Sequence, residues 1–241
     1  MRVSPEVGLV NPTSGLQNPA MSTLRSYDDP CGIARALDCV GERWALLIVR
    51  ELLFGPKRYT DLRAGLPFAS PNVLSQRLHE LEACHVLHKR VLPQPSGATV
   101  YELTAWGREL ESVLQSLARW GSRAAMTSAQ ELSTDALLMA LQTTFDASAS
   151  PITKARVQLR LGTDVFQLSI DRRRLAIERG QDKPFDVAIT TNAACLRRVV
   201  FGQQTLAHAR RTGEMSLEGD AKVAAQFLQM FSRPQLFEQA S

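Results

Sequence analysis

The sequence predicts an α+β chain in two parts. Residues 25–125 read as mostly helical with one β-hairpin, and residues 133–235 as an α/β unit built on an antiparallel sheet. Three observations carry this. Apolar residues recur at helical spacing through residues 32–83. A basic hairpin follows, in the stretch VLHKRVLPQPSGATVYEL. From residue 156 the apolar residues alternate strictly, with Val157, Leu159 and Leu161 on one face and then Phe166, Leu168 and Ile170.

Each element has its own signal. Ile33, Ala36, Leu37 and Val40 make one helix face, broken at Gly41. Trp44, Leu47, Ile48 and Leu52 repeat the pattern and stop at Gly55-Pro56. Thr60 is expected to cap a short helix that Gly65 and Pro67 end. Ser70-Pro71 joins an N-cap to a first-turn proline, and Leu74, Leu78 and Leu81 form the buried face of the helix so started. Residues 86–92 and 99–103 form a hairpin around PQPSGA, a turn-forming tip. Thr104 caps a long helix whose apolar stripe is Trp106, Leu110, Val113, Leu114, Leu117 and Trp120. Gly107 and Gly121 leave room for a close backbone approach.

Residues 126–133 read as a linker. A helix at 135–145, strands near 156–161, 165–171, 175–177 and 187–189, helices near 193–201 and 205–210, a strand at 214–217 and a helix at 220–231 complete the chain. Residues 1–24 are polar, rich in Pro, Gly and Asn, and read as a disordered extension. Met21 is an alternative start.

Composition excludes several classes. Hydrophobic residues make up 44% of 241, ample for a core. Net charge is +4, and each part carries about +2 (13 Lys and Arg against 11 Asp and Glu in 25–125; 14 against 12 in 126–241). Nucleic-acid affinity must therefore come from local placement of charge. No apolar run approaches the roughly 18 residues of a membrane span, so a cytoplasmic location with no membrane partner is expected. Cys31, Cys39, Cys84 and Cys195 have neither metal-ligand nor disulfide-framework spacing. Cys84, His85 and His88 lack a fourth ligand nearby, and no metal or cofactor is expected. GxSxG, HExxH, GxGxxG and P-loop motifs are absent from the sequence, which argues against an enzyme. The clusters Arg172–Arg174 and Arg197-Arg198 read as solvated faces.

The first part has the order of a winged helix-turn-helix. Opposite the leucine face of the 70–83 helix stand Asn72, Ser75, Gln76 and Arg77. Asn and Gln suit adenine, Arg suits guanine and Ser suits either. Ser70 opens that helix at a phosphate-favouring N-terminus. Lys57, Arg58 and Thr60 sit where the preceding helix crosses the DNA backbone. Lys89, Arg90, Ser96 and Thr99 lie on the wing, residues 89–100.

Residues 27–121 resemble the HxlR-type regulators, relatives of the MarR type, through DPCGIARALDCVGERWALLIVRELLFGPKRYTDLRAGL, SPNVLSQRLHELE and YELTAWGREL with RWG. The resemblance implies a homodimer formed by the terminal helices and bound to a pseudo-palindromic operator in double-stranded DNA, more often as a repressor than an activator. His85 departs from the pattern, where many members have Gly after the recognition helix. Cys31 starts the first helix at a place where some members sense oxidants, and is the redox candidate.

The second part resembles the sterol carrier protein-like domain, through FDVAITTNAACLRRVVFGQQTLAHARRTGEMSLEGDAKVAAQFLQMF. That resemblance implies an apolar tunnel. Its lining candidates are Phe166, Leu168, Phe185, Leu196, Phe201, Leu206, Phe227 and Phe231, and its occupant an apolar small molecule or lipid acting as effector. The alternative is a lipid-binding or sequestering protein whose winged module serves dimerisation.

Overall fold

A computed structural model describes residues 26–125, 128, 130–180 and 183–237. The expected extension at 1–24 and part of the 126–133 linker lie outside the described residues. Four helices, Gly32–Val40 (α1), Ala45–Leu52 (α2), Tyr59–Gly65 (α3) and Pro71–Ala83 (α4), precede the hairpin of Leu87–Val91 (β1) and Thr99–Leu103 (β2). The long helix Ala105–Gly121 (α5) closes this half. Ile48, Val49, Leu52, Leu62, Leu74, Leu78, Leu81 and Leu87 form one buried core beneath the helices.

The local signals act as their chemistry requires. Ser70 Oγ accepts from the Val73 amide at 3.4 Å with Pro71 in the first turn, and Thr104 Oγ1 accepts from the Gly107 amide at 3.0 Å. The Thr104 hydroxyl also donates to the His85 carbonyl at 2.7 Å, tying α5 to the end of α4. His85 has φ 57°, the left-handed position after a helix. Its amide bonds Glu82 O at 3.0 Å and the Val86 amide bonds Leu81 O at 2.9 Å, the two bonds of a Schellman stop. Thr60 is a correction. The α3 helix is capped two residues earlier, at Arg58, and Asp61 Oδ2 accepts from the Arg58 amide at 3.2 Å, so Thr60 lies exposed within the first turn.

The second half begins with Thr134–Thr144 (α6), capped by Ser133, whose Oγ accepts from the Ala136 amide at 3.1 Å. Strands Lys154–Leu161 (β3), Asp164–Asp171 (β4) and Arg174–Arg179 (β5) form an antiparallel meander. Arg172 and Arg173 make its second turn at φ 45° and 67°. Val187–Thr191 (β6), Ala193–Val200 (α7), Leu206–Arg211 (α8), Ser216–Gly219 (β7) and Ala221–Leu228 (α9) follow.

The sheet order is β5-β4-β3-β6-β7, and β6 runs parallel to β3. The sheet is therefore mixed, where an antiparallel one was expected. Asp186 explains the register. Its amide donates to Arg156 O at 2.8 Å and its Oδ2 accepts from the Arg156 amide at 2.7 Å, pinning the start of β6 beside the start of β3. The inward residues of β3, β4 and β6 pack with Leu137, Leu138, Leu141, Leu196, Phe227 and Phe231 into a second core.

The two cores interlock. Phe54, from the loop after α2, is buried in the C-terminal core, and Met139 of α6 is buried in the N-terminal one. Between them lies a buried charge network. Glu51 is 0% exposed and Asp135 is 1% exposed. Lys57 Nζ bonds Glu51 at 2.9 Å and also bonds Asp135. Arg50 reaches Glu51 at 2.8 Å, Ser133 Oγ donates to Glu51 at 2.6 Å, and Arg179 reaches Asp135 at 3.3 Å.

The close approach anticipated at Gly107 is present. A Cβ there would overlap the Val86 carbonyl oxygen, whereas one at Gly121 would meet nothing nearby. The Val86 carbonyl already accepts from Thr104, so it has little freedom to yield. Gly107→Ala is expected to cost about 1–3 kcal/mol by overpacking, read as a lower urea midpoint at unchanged slope.

Candidate nucleic-acid interface

The outward face of α4 carries Asn72, Ser75 and Gln76, all exposed. Pro71 and Ser70 fix the start of the helix, and Tyr59 of α3 braces it. The Tyr59 hydroxyl donates to Pro71 O at 3.0 Å and lies 3.4 Å from Ser75 Oγ. Gln76 Nε2 bonds Glu80 at 3.0 Å, a loose helical pair that solvent or a base can replace.

Arg77 departs from its expected base-reading place. Its guanidinium bonds Glu80 and lies 3.5 Å from Glu42, and the side chain is only 13% exposed. It anchors α4 to the turn before α2. Lys57 departs further, since its ammonium is consumed by Glu51 and Asp135 at the seam between the halves. Sequence spacing placed both residues correctly along the chain but could not show the carboxylates that fold against them.

The wing lies beside α4. Lys57 extends it as a third, one-residue strand: its amide donates to Tyr101 O at 3.0 Å and the Tyr101 amide donates to Lys57 O at 2.8 Å. Arg58 Nη2 donates to Ser96 Oγ at 3.0 Å, joining the start of α3 to the wing tip. Ser96 and Thr99 are exposed. Lys89 pairs with Glu82 at 3.1 Å and stands over the Tyr101 ring, and Arg90 pairs with Glu102. Arg63 is also exposed on α3, a position that sequence reasoning did not single out. Its signal was a basic residue two positions after Asp61, inside the helix already placed on the DNA side.

A second surface is apolar. Trp106, Val113, Leu117 and Trp120 of α5 are exposed, Trp120 at 76%, while Leu114 faces the core and Leu110 is half-buried. The apolar face of α1 is uncovered at Ile33, 72% exposed, and at Leu37, while Val40 is buried. A groove of about 250 Å³ runs between the two helices, floored by Cys39, Val40, Val86 and Leu110.

The cysteines differ. Cys31 caps α1 and is exposed. The Ile33 amide, then the Ala34 amide, hold its thiol below the ordinary value. Cys84 is buried, and burial followed by a hydrogen bond with Cys39 pushes it up to about 12. Cys84 points inward while His85 and His88 are exposed, so the three diverge. Among the described residues no cluster of three or more His, Cys, Asp or Glu side chains fits a metal ion, and no helix is long and apolar enough to cross a membrane.

Of the expected tunnel-lining side chains, Phe166, Leu168, Leu196, Phe227 and Phe231 are buried in the C-terminal core, and Phe201 and Leu206 pack at its margin. Phe185 lies outside that cluster, beneath the Arg160 guanidinium at 5.7 Å.

Comparison with known proteins fits this geometry. A family profile described as "HxlR-like helix-turn-helix" matches residues 39–129. The HTH-type transcriptional regulator YodB of Bacillus subtilis is 34% identical over 88 residues, which are 36% of this chain and 79% of that protein. The chain belongs to the HxlR-like helix-turn-helix family. YvaP, an HTH-type regulator of the same organism, is 38% identical over 88 residues, 36% of this chain and 82% of its own. A solved structure described as the reduced form of YodB from B. subtilis aligns at 31% identity over 41% of this chain and 97% of its own, with a TM-score of 0.36. As an HxlR-like protein the chain is a DNA-binding transcriptional regulator. A profile described as "SCP-2 sterol transfer family" matches residues 134–232, and these form the mixed-sheet α/β domain. Neither matched family is an enzyme family.

Cys31 is expected to be the first of the four thiols alkylated by iodoacetamide. Because its folded value is lowered, its reactivity should persist to lower pH than that of a free thiol. Peptide mapping after a short pulse at several pH values checks this.

Proposed function

We propose that the chain is a homodimeric repressor that reads a pseudo-palindromic operator with α4 and the wing, and that its C-terminal domain takes an apolar molecule as effector. The observation that carries DNA reading is the α4 face, where Asn72, Ser75 and Gln76 are exposed side by side on a helix held rigidly at its start. Ser70, Arg58, Thr60, Arg63, Ser96 and Thr99 supply donors to phosphates around it. Lys89 and Arg90 contribute once DNA competes for their carboxylate partners.

The dimer rests on the second surface. Trp106, Leu110, Val113, Leu117 and Trp120 repeat at intervals of four and three, the heptad spacing of a helix seam. An exposed apolar stripe of this kind, continuous with Ile33 and Leu37 of α1, calls for a covering partner. A second copy supplies an identical stripe about a two-fold axis. Such a pair sets two recognition helices one DNA turn apart, about 34 Å, and a dimer seated on a promoter blocks polymerase. The effector part is supported by the SCP-2 match. It requires a ligand that binds the DNA-competent and DNA-incompetent states unequally.

Selection from randomised duplexes with the full-length chain should return a two-fold-related consensus. Asn72→Ala and Gln76→Ala should each cost about 1–3 kcal/mol on that duplex and relax preference at one position per half-site. Arg58→Ala should weaken all duplexes alike and lower the salt slope by about 1. Selection without a consensus would overturn the reading. Val113→Asp should convert the dimer to a monomer in light scattering, and a monomeric parent protein at micromolar concentration would overturn the dimer.

A further inference from the structure

We infer that Asp135 is a positioning residue for the wing, so that the C-terminal domain sets the placement of the hairpin through Lys57. The mechanical link stands on geometry alone; its consequence for DNA rests on the proposal above.

Residues 54–58 form a short strap with four successive attachments. Phe54 is buried in the C-terminal core, and its carbonyl accepts from Arg179 Nε at 3.4 Å. Gly55 then turns the chain at φ 136°, a conformation that suits glycine. The Lys57 side chain enters the buried network and bonds Asp135 of α6 and Glu51 of α2. The Lys57 backbone meanwhile exchanges both hydrogen bonds with Tyr101 on the return strand of the wing. Arg58 holds Ser96 at the wing tip. One strap thus belongs to the C-terminal domain at its start and to the wing at its end.

Asp135 is well placed to set this link. It lies in the first turn of α6, almost fully buried, and Arg179 of β5 holds its other oxygen while also pairing with Asp164 at the start of β4. Its position therefore reports on α6 and the meander together. Glu51 retains Lys57 if Asp135 loses its charge, so the expected effect is a loosened wing root rather than an unfolded domain. Gly65 serves the same arrangement from the other side, since a Cβ there would overlap the Glu51 carboxylate. Coupling of this kind is reciprocal, so DNA bound at the wing must also tighten the docking of the C-terminal domain.

The test uses the full-length chain with Asp135→Asn and, from the opposite side, Lys57→Met. Leu217→Ala, on β7 at the sheet edge opposite β5 and Arg179, serves as a control that weakens the C-terminal core away from the strap. Amide exchange is read at Lys57 and Tyr101, which bond each other, and at Leu78 and Leu81 inside α4. Both strap variants should speed exchange at Lys57 and Tyr101 by about tenfold while α4 is unchanged. The control should show no such selectivity. Affinity for the selected duplex should fall by about fivefold or more. Unchanged exchange at the wing, or an equal rise in α4, overturns the inference. Faster wing exchange with unchanged DNA affinity supports the link and overturns the part of the wing in DNA reading.

Discussion

The pairing of Lys57 with two buried carboxylates, one from each half, is the constraint on which the arrangement of this molecule depends. A carboxylate removed from water demands a cation and further donors, or it forces its own neutralisation. Glu51 meets the demand. Burial pushes its carboxyl up, but Lys57, Arg50 and Ser133 outweigh that and hold it below the usual range. Asp135 meets it less fully. Burial, with the Glu51 charge adding, leaves its carboxyl above the usual range despite Lys57 and Arg179. The two therefore act oppositely with pH. The contribution of Glu51 is present above the ordinary carboxylate value and is lost as pH falls through its lowered one. Asp135 is easier to protonate folded than unfolded, which partly offsets that loss in acid. The seam is thus specific in geometry and only moderately favourable in energy, as suits a joint rather than a core.

The same accounting of charge governs the DNA-facing side. Arg77, Lys89 and Arg90 are each paired with a carboxylate of their own domain, and the net charge of the whole chain is +4. The long-range field that draws a strongly basic protein to any duplex is therefore weak here. Binding has to be won at short range by hydroxyls, amides and a few arginines, where geometry rather than total charge decides. The exposed, uncharged face of α4, Asn72, Ser75 and Gln76, proposed to read the bases, agrees with that balance. Base-edge contacts become a larger share of the interaction when phosphate contacts are few.

What the sequence made legible follows from the range of each signal. Caps and stops are local, so Ser70, Thr104 and the left-handed His85 could be placed from neighbours alone, and Thr60 missed by two residues because Asp61 caps from inside the helix. Alternation at period two identified the inward residues of β3 and β4 except Ala155, which precedes the run of large apolar residues. It could not distinguish a parallel neighbour from an antiparallel one, since both bury the same face, and the β3–β6 pairing depends on the backbone contact of Asp186 with Arg156. Lys57 and Arg77 were assigned to DNA because a basic residue beside a recognition helix has that local look. The carboxylates that claim them lie far off in sequence or on another turn. One local clue to the seam was present: Glu51 falls inside WALLIVRELLF, and a carboxylate amid leucines must find a partner. Ile33 shows the converse limit, since periodicity marks a side chain as apolar without saying whether its own chain covers it.

The C-terminal core bears on how any effector could work. Most of the side chains expected to line a tunnel are buried in this core, with Phe227 and Phe231 edge to face at 5.1 Å and Arg179 over the Phe166 ring at 4.5 Å. An apolar molecule can enter such a core by selecting a more open arrangement, and its influence is bounded by its preference for that arrangement. Phe54 is part of the same core although it belongs to the helical half. Arg179, which contacts the Phe166 ring, also holds the Phe54 carbonyl and Asp135. Opening the core near Phe166 therefore strains the strap before it disturbs α4. The strap leads to the wing and not to the recognition helix, so under the proposal above the wing is the element that would feel occupancy of the second domain.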